Sequence, residues 1–157
     1  MCGFGGMFLF ESFNEEDFIK MSKSLDFRGP DSNSQFIDHD SKICFFHNRL
    51  SILDLSNAGN QPMHSFDKQY VIVYNGEIYN HLHIRNHLKE KFNFNNWVGS
   101  SDTETLVNSI KIIGLEQTLK ISEGFFSFAL WDKINKELTI ARDKIGEKPL
   151  YYGFNNS

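Results

Sequence analysis

The stretch YVIVYNG (residues 70–76) decides the fold of this chain. Its first five residues are β-branched or aromatic with no polar interruption, which is typical of a strand buried on both faces. Asn75-Gly76 is a strong turn pair, so the pattern predicts that the strand ends there. The sequence therefore predicts a buried strand over 70–74 with a turn directly after it.

Other strands are predicted before and after this one. The apolar or alternating runs that indicate them lie at 3–10, 35–38, 43–47, 124–132, 137–143 and 149–153. Apolar residues at helical spacing predict helices over 14–25, 80–91 and 101–114. Asn14 and Ser101 are the predicted N-caps, and Ser101 and Glu104 have capping-box spacing. Two clusters of strands with helices between and around them indicate an α+β layered sandwich.

Length and charge limit the class of protein. The chain has 157 residues, which fits one domain, and a formal net charge of −4. The charge leaves no basic surplus for nucleic acid and no polybasic patch for a membrane surface. The N-terminus lacks the basic segment of a signal peptide, and no apolar run approaches the ~20 residues that span a bilayer. We expect a cytoplasmic protein without a nucleic-acid or membrane partner.

The two cysteines have different environments in the sequence. Cys44 lies in the apolar run KICFFHNRL and is predicted to be an inert core residue. Cys2 becomes the first residue once Met1 is removed, and its own α-amine can then take the proton of its thiol. Taken alone, Cys2 is better explained as a chance cysteine. A redox pair is disfavoured because the spacing is not CxxC.

Metal and phosphate sites are not indicated. His83 and His87 stand four residues apart on a predicted helix, but no third ligand accompanies them. The opening GFGGMF is not a GxGxxG loop, and no P-loop is present in the sequence. The sequence therefore predicts no metal site and no ATP binding by this chain.

Seven short motifs follow one another along the chain. They are MCGFGG (1–6), RGPD (28–31), RLSILDLS with QPM (49–56 and 61–63), YNGEIYN (74–80), SDTE (101–104), FFSFALWD (125–132) and ARDKIGEKPLYY (141–152). With this set in this order, the chain resembles the class II, N-terminal-nucleophile type of glutamine amidotransferase domain. RGPD makes it most similar to the N-terminal domain of asparagine synthetases.

The resemblance implies a fold and a set of partners. The fold is the four-layer αββα sandwich of N-terminal-nucleophile hydrolases, built on two mainly antiparallel sheets. Residues 1–157 would form the glutaminase domain, shortened at its C-terminal end, with the ATP-dependent synthetase domain absent. That synthetase domain would be the partner in the full-length chain, and ATP and Mg²⁺ would bind there, leaving this domain without a cofactor. A homodimer is compatible with the resemblance but not required by it.

The resemblance also assigns a nucleophile and an oxyanion site. Cys2 would attack the side-chain amide of L-glutamine and form a glutamyl thioester, which water then hydrolyses to glutamate. The attack creates an oxyanion that needs hydrogen-bond donors already in place. Those donors would be the side-chain amide of Asn75 and the backbone N–H of Gly76.

Further residues are implied to bind the α-carbon groups of glutamine. Arg49 would bind the α-carboxylate, since its planar fork can donate to two oxygens at once. Asp102 would bind the α-ammonium group. The remaining positions are backbone groups of Leu50, Ser51, Ile52 and Leu53 beside the carboxylate, and Gly76 and Glu77 beside the ammonium.

Three hypotheses stay open at this point. The first is a glutaminase domain that supplies ammonia for asparagine synthesis. The second is the amidotransferase half of another biosynthetic enzyme, with an ammonia acceptor other than aspartate. The third is a catalytically silent glutamine-binding or regulatory module, which would hold if Met1 stays attached.

Overall fold

The computed structural model of the chain describes residues 1–8 and 13–154. The strands are β1 Gly3–Phe8, β2 Ser32–Asp38, β3 Ile43–Arg49, β4 Met63–His64, β5 Tyr70–Ile78, β6 Gly124–Asp132 and β7 Glu137–Arg142. The α-helices are α1 Glu15–Lys23, α2 His81–Phe92, α3 Asp102–Ile113 and α4 Leu115–Ile121. The first sheet has the strand order β1-β3-β2 and the second has β4-β5-β6-β7, and all pairs are antiparallel.

Strand β5 is buried on both faces, as its sequence predicts. Val71 and Val73 point toward the first sheet and share a core cluster with Ile43 and Phe45 of β3. The alternate residues belong to a second cluster, on the opposite face of the strand. That cluster also contains apolar side chains of α2 and α3, namely Ile84, Leu88, Leu106, Val107 and Ile110. The two faces of β5 therefore join the two sheets to each other and to the helices.

A third cluster completes the layers. Phe18 of α1 packs against Cys44 and Phe46 on the outer face of the first sheet. The order of layers is thus α1, first sheet, second sheet, and then the helices α2 to α4. This arrangement confirms the predicted αββα sandwich. Burial raises the pKa of the Cys44 thiol to about 11, so Cys44 is a protonated core residue, as predicted.

The predicted helices are present, with the predicted caps. Asn14 accepts hydrogen bonds from the backbone N–H groups of Glu16 and Asp17, and the helix begins at the next residue. Ser101 accepts a hydrogen bond from the N–H of Glu104, at 3.2 Å. The short helix α4 was not predicted from the sequence, which shows a helical pattern only as far as Gly114.

The predicted end of the central strand is wrong. Strand β5 continues through Asn75 and Gly76 to Ile78, and these two residues pair with Ser127 and Phe126 of β6. Neither has a positive φ, so the Asn-Gly pair is extended rather than turned. The turn preference of this pair is local, and it is overcome because β6 offers a pairing partner along the whole stretch.

The strand predicted over 149–153 is also wrong. This segment is irregular, and Tyr151 and Tyr152 are exposed. In the described residues it has no neighbouring strand, and an apolar run without a partner does not form a sheet. Of the strand predicted over 3–10, residues 3–8 form β1, while residues 9 and 10 lie outside the described residues. None of the described helices is long and apolar enough to cross a bilayer.

One polar side chain lies among the apolar residues between the sheets. His47 of β3 is 1% exposed, and its Nε2 lies 3.1 Å from the backbone carbonyl of Tyr74, to which it must donate. Its other ring nitrogen, Nδ1, has no partner among the described residues. Burial disfavours the charged imidazolium and lowers the pKa of His47 to about 4, so the ring is neutral at physiological pH.

We therefore predict that His47 makes stability depend on pH. The unfolded chain binds a proton near pH 6.5 and the folded chain only near 4, so acid favours unfolding over this interval. The full contribution is about 3 kcal/mol, present above pH 6.5 and lost as the pH falls toward 4. Denaturant unfolding at several pH values measures it, as the difference between the parent chain and His47→Gln. His83→Gln, on the exposed face of α2, is the matched control and should keep the parental pH dependence.

Candidate active site

A cleft of about 200 Å³ opens at one end of the layer between the two sheets. Of the residues singled out from the sequence, those that line it are Cys2, Arg49, Leu50, Ile52, Leu53, Asn75, Gly76, Glu77 and Asp102. Ser51 does not line the cleft, and its backbone N–H donates instead to the carboxylate of Asp31 at 2.7 Å. The fold thus brings together side chains from four separate segments of the chain.

Cys2 is positioned by the residues that flank β1 and β3. Gly3 pairs with Asn48, which places the preceding Cys2 at the end of β3 and beside Leu50. The thiol sulfur lies 3.4 Å from the backbone nitrogen of Leu50 and 3.7 Å from its carbonyl oxygen. The carbonyl of Cys2 accepts a hydrogen bond from Nε of Arg28 at 3.1 Å. Leu50 contacts the thiol of Cys2 and Arg28 contacts its carbonyl, and together they fix Cys2 in the lining of the cleft.

Asn75 and Gly76 lie at the edge of the cleft because β5 continues through them. Asn75 has the same parity along the strand as Val71 and Val73, so its side chain points into the layer between the sheets. A Cβ atom at Gly76 would lie 2.3 Å from the carbonyl oxygen of Phe125 and 2.6 Å from the Cα of Phe126. Only glycine permits this close approach of the two strands.

Arg49, the last residue of β3, is buried beside the cleft, and the loop that follows the strand encloses its side chain. One terminal nitrogen of its guanidinium donates to the carbonyl of Ser56 at 2.8 Å and to Asn60 Oδ1 at 2.9 Å. The other terminal nitrogen donates to the carbonyl of Asp54. No carboxylate in the described residues forms an ion pair with Arg49. Its positive charge is therefore held by neutral acceptors and remains available to an anion.

Gly59 makes room for this guanidinium. A Cβ atom there would lie 2.1 Å from the terminal nitrogen Nη2 of Arg49 and 2.8 Å from its central carbon. The glycine also lines the cleft. Its lack of a side chain therefore allows the loop to close over Arg49.

Asp102 also lines the cleft, as the first residue of α3. Its Oδ2 accepts hydrogen bonds from the hydroxyl of Tyr74 at 2.8 Å and from the N–H of Ile78 at 2.9 Å. Its Oδ1 accepts from the N–H of Thr103 at 2.9 Å. Its partners are neutral donors, and the ion pairs of the described residues do not include it. The cleft thus presents a buried cation and a buried carboxylate, each without a direct counter-ion.

Tyr74 acts as a donor in this arrangement. Burial, together with the neighbouring carboxylate of Asp102, raises the pKa of Tyr74 well above its usual value. The phenol therefore stays protonated, and its O–H donates a hydrogen bond to Asp102. The sequence places Tyr74 in a buried strand and in the YNGEIYN motif, but nothing local indicates that its hydroxyl meets a residue of α3.

Gln61 is a further cleft residue that the sequence analysis did not identify. Its side-chain carbonyl accepts the backbone N–H of Tyr74 at 2.6 Å, at a point where β5 has passed the end of β4. Its side-chain amide donates to the hydroxyl of Thr103 at 3.2 Å. Gln61 therefore joins the edge of the second sheet to the start of α3. The only signal in the sequence is its place in the QPM motif.

Within residues 1–8 and 13–154, no group of three or more His, Cys, Asp or Glu side chains has the arrangement of a metal site. His83 and His87 are both exposed on α2. Lys148 and Met1 also line the cleft, and Nζ of Lys148 lies 3.5 Å from the sulfur of Met1.

The αββα layers, with a cysteine entering the first strand at the cleft, are the architecture of the N-terminal-nucleophile type of domain. The chain belongs to the glutamine amidotransferase domain family, whose sequence model matches residues 1–157.

Similar proteins include several asparagine synthetases. The chain is 41% identical over 158 residues to glutamine-hydrolysing asparagine synthetase 1 of Bacillus subtilis, and the match covers 97% of this chain and 24% of that protein. It is 34% identical to asparagine synthetase 3 of the same organism, covering 97% of this chain and 25% of the relative. It is 42% identical to the amidase chyE of Penicillium rubens, covering 85% of this chain and 19% of the relative. The chain therefore spans about a quarter or less of these relatives.

The steric limit at Gly76 gives a direct prediction. Gly76→Ala places a methyl group against the backbone of β6, so the two strands must separate next to the cleft. We expect the free energy of unfolding to fall by about 2 kcal/mol or more. Gly153→Ala is the matched control, since a Cβ there meets nothing within 4 Å, and it should change stability by less than about 0.5 kcal/mol. Denaturant unfolding of both variants makes the comparison, and equal stabilities would contradict it.

Proposed function

We propose that this chain is a glutaminase domain that hydrolyses the side-chain amide of L-glutamine to glutamate and ammonia. The observation that carries the proposal is the composition of one cleft. Three of its lining residues are Cys2, the buried cation Arg49 and the buried carboxylate Asp102. A free α-amino acid carries one negative and one positive group, which these two charged side chains complement.

Glutamine binding follows from these charges. Arg49 has donors left after its contacts with Ser56, Asn60 and Asp54, and an α-carboxylate can accept from them. Asp102 has lone pairs left to accept an α-ammonium group, and the backbone around Gly76 and Glu77 lies next to it. Bound this way, the side chain of glutamine extends along the cleft toward Cys2.

The chemistry is acyl transfer on Cys2. Once Met1 is removed, the α-amine takes the thiol proton, and the thiolate adds to the amide carbon of glutamine. Asn75 and the N–H of Gly76 donate to the oxyanion that forms. The intermediate collapses as the α-ammonium returns the proton to the departing nitrogen, releasing ammonia and leaving a glutamyl thioester. Water then adds to the thioester while the α-amine takes one of its protons. The new intermediate expels the Cys2 sulfur, which recovers that proton, and glutamate is released.

A larger enzyme provides the natural setting for this reaction. The relatives named as glutamine-hydrolysing asparagine synthetases are about four times as long as this chain, so we propose an ATP-dependent synthetase domain as its partner. Aspartate is then the first candidate for the ammonia acceptor. The similarity to an amidase supports another acceptor as the alternative. ATP and Mg²⁺ belong to that partner, and the glutaminase reaction itself uses no cofactor. A cytoplasmic location is proposed with this function, because it keeps the Cys2 thiol reduced.

A silent glutamine-binding module is the second candidate, and it depends on whether Met1 is kept. Met1 lines the cleft beside Cys2, and its bond to Cys2 turns the α-amine into an amide that cannot take a proton. A chain that keeps Met1 would bind glutamine without hydrolysing it. The processing state of the N-terminus therefore separates the two candidates.

The first test is intact mass before and after incubation with a diazoketone analogue of glutamine, which alkylates an activated thiol. We expect one adduct on the chain that lacks Met1, prevented by excess glutamine and absent in Cys2→Ala. Cys44→Ala is the matched control for the other thiol, and it should still form the adduct. Glutamate release by Cys2→Ala would overturn the proposed mechanism. Glutamine binding without an adduct or turnover would favour the silent module.

The proposed role of Arg49 is tested by Arg49→Lys. Lysine keeps the charge but replaces the planar fork by a point donor, so carboxylate binding weakens. We expect KM for glutamine to rise about tenfold with little change in kcat, since the α-carboxylate is remote from the reacting amide. Arg142→Lys, on the edge strand β7, is the control and should leave both parameters unchanged. A large fall in kcat with unchanged KM would place Arg49 in the chemical step instead.

A further inference from the structure

Asp54 lines the cleft and forms hydrogen bonds with two segments of its wall, the loop that encloses Arg49 and the residues that precede Asp102. It is a buried carboxylate, 6% exposed, in the loop that follows β3. Asp54 differs from the cleft residues already described in what its hydrogen bonds do. They all go to other parts of the site and hold those parts in place.

On one side, Asp54 organises the loop around Arg49. Its backbone carbonyl accepts from the Arg49 guanidinium. Its Oδ1 accepts from the N–H of Ser56 at 2.9 Å and from the hydroxyl of Ser56 at 2.6 Å. The carbonyl of Ser56 is itself an acceptor for Arg49, at 2.8 Å. The position of the guanidinium therefore depends on Asp54 in two ways, directly through the Asp54 carbonyl and indirectly through Ser56.

On the other side, Asp54 holds the segment that leads into α3. Its Oδ2 accepts from the N–H of Ser100 at 2.7 Å. Ser100 precedes Ser101, the N-cap of the helix, and Asp102 is the first helical residue. Glycine at position 99 permits this contact, since a Cβ atom there would lie 2.4 Å from Asp54 Oδ2. One carboxylate thus bridges the Arg49 loop and the start of the helix that carries Asp102.

The Asp54 carboxylate that forms this link is charged at physiological pH. Hydrogen bonds from the hydroxyl of Ser56 and the N–H of Ser100 lower the pKa of Asp54 to about 2. Hydrogen bonds to a charged acceptor are about twice as strong as those between neutral groups. The link between the two sides of the cleft is therefore stronger than a neutral side chain would provide.

We propose that Asp54 is a specificity-determining residue, which sets the separation between the Arg49 guanidinium and the Asp102 carboxylate so that the cleft selects an α-amino acid. This inference rests on the proposed function. An α-amino acid holds its carboxylate and ammonium on one carbon atom, at a fixed separation. A cleft gains from both charges only when its own two groups keep a matching separation. The Asp54 carboxylate links Ser56, whose carbonyl accepts from Arg49, with Ser100, which lies two residues before Asp102.

The test compares two substrates that differ only in the α-amine. L-glutamine has both charged groups, while 4-carbamoylbutanoate is glutamine without its α-amine and engages Arg49 alone. The ratio of their kcat/KM values measures how much the second group contributes. In Asp54→Ala we expect this ratio to fall about tenfold, through a higher KM for glutamine at nearly constant kcat, because a charged hydrogen bond is lost.

Two variants complete the design. Asp54→Asn keeps the shape but replaces one carboxylate oxygen by a donor, so one of the two links breaks and the ratio should also fall. If Asp54→Ala does not fold, the ratio is measured in Asp54→Asn instead. Asp132→Ala is the matched control, since Asp132 is 6% exposed as well and accepts backbone N–H groups of Ile134 and Asn135, away from the cleft. It should keep the parental ratio.

The outcomes separate this inference from the proposed function. An unchanged ratio in both Asp54 variants would overturn the inference. This includes the case in which kcat/KM falls equally for both substrates, which indicates general damage to the Arg49 side. If the parent chain shows no turnover, calorimetric binding of both compounds to Cys2→Ala, with and without Asp54→Ala, gives the same ratio. Failure of L-glutamine to bind the parent chain would overturn the proposed function and this inference together.

Discussion

The pairing of β5 with β6 is the interaction on which both the fold and the cleft depend. Nine residue pairs join the strands, from Tyr70 with Asp132 to Ile78 with Gly124. This pairing keeps β5 extended past Asn75 and Gly76. It thereby places the backbone of residue 74 where its carbonyl accepts from His47 and its N–H donates to Gln61. At the far end, the N–H of Ile78 donates to Asp102. A single strand thus positions groups from three other segments.

The charges of the cleft are stabilised without neutralising one another. A buried ion needs partners, and an ion pair between Arg49 and Asp102 would satisfy both at the expense of any ligand. Instead, carbonyl and amide oxygens surround Arg49, and hydroxyl and N–H donors surround Asp102. Neutral dipoles reduce the cost of burying each charge but leave its field in the cleft. The two groups therefore retain their attraction for a ligand of opposite charge.

Local signals predicted much of this molecule, and non-local pairing explains where they failed. The strand over 124–132 was predicted correctly from its local residue pattern. The caps Asn14 and Ser101 were also predicted correctly, because a cap depends on contacts within a few residues. The supposed turn at Asn75-Gly76 and the supposed strand over 149–153 depend on whether another strand lies alongside. Similarly, motif resemblance indicated most of the cleft residues. It gave no role to Gln61, whose hydrogen bonds reach residues 13 and 42 positions away.

The position of Cys2 also follows from pairing rather than from its own neighbours in sequence. The register of β1 against β3 brings it to Leu50, and Arg28 holds its carbonyl. These contacts use the thiol and the carbonyl of Cys2. Removal of Met1 therefore changes the chemistry of the α-amine while the contacts that place the thiol persist. In the mechanism we propose, Cys2 acquires its base by the loss of one residue, while the hydrogen bonds that position its thiol are already formed.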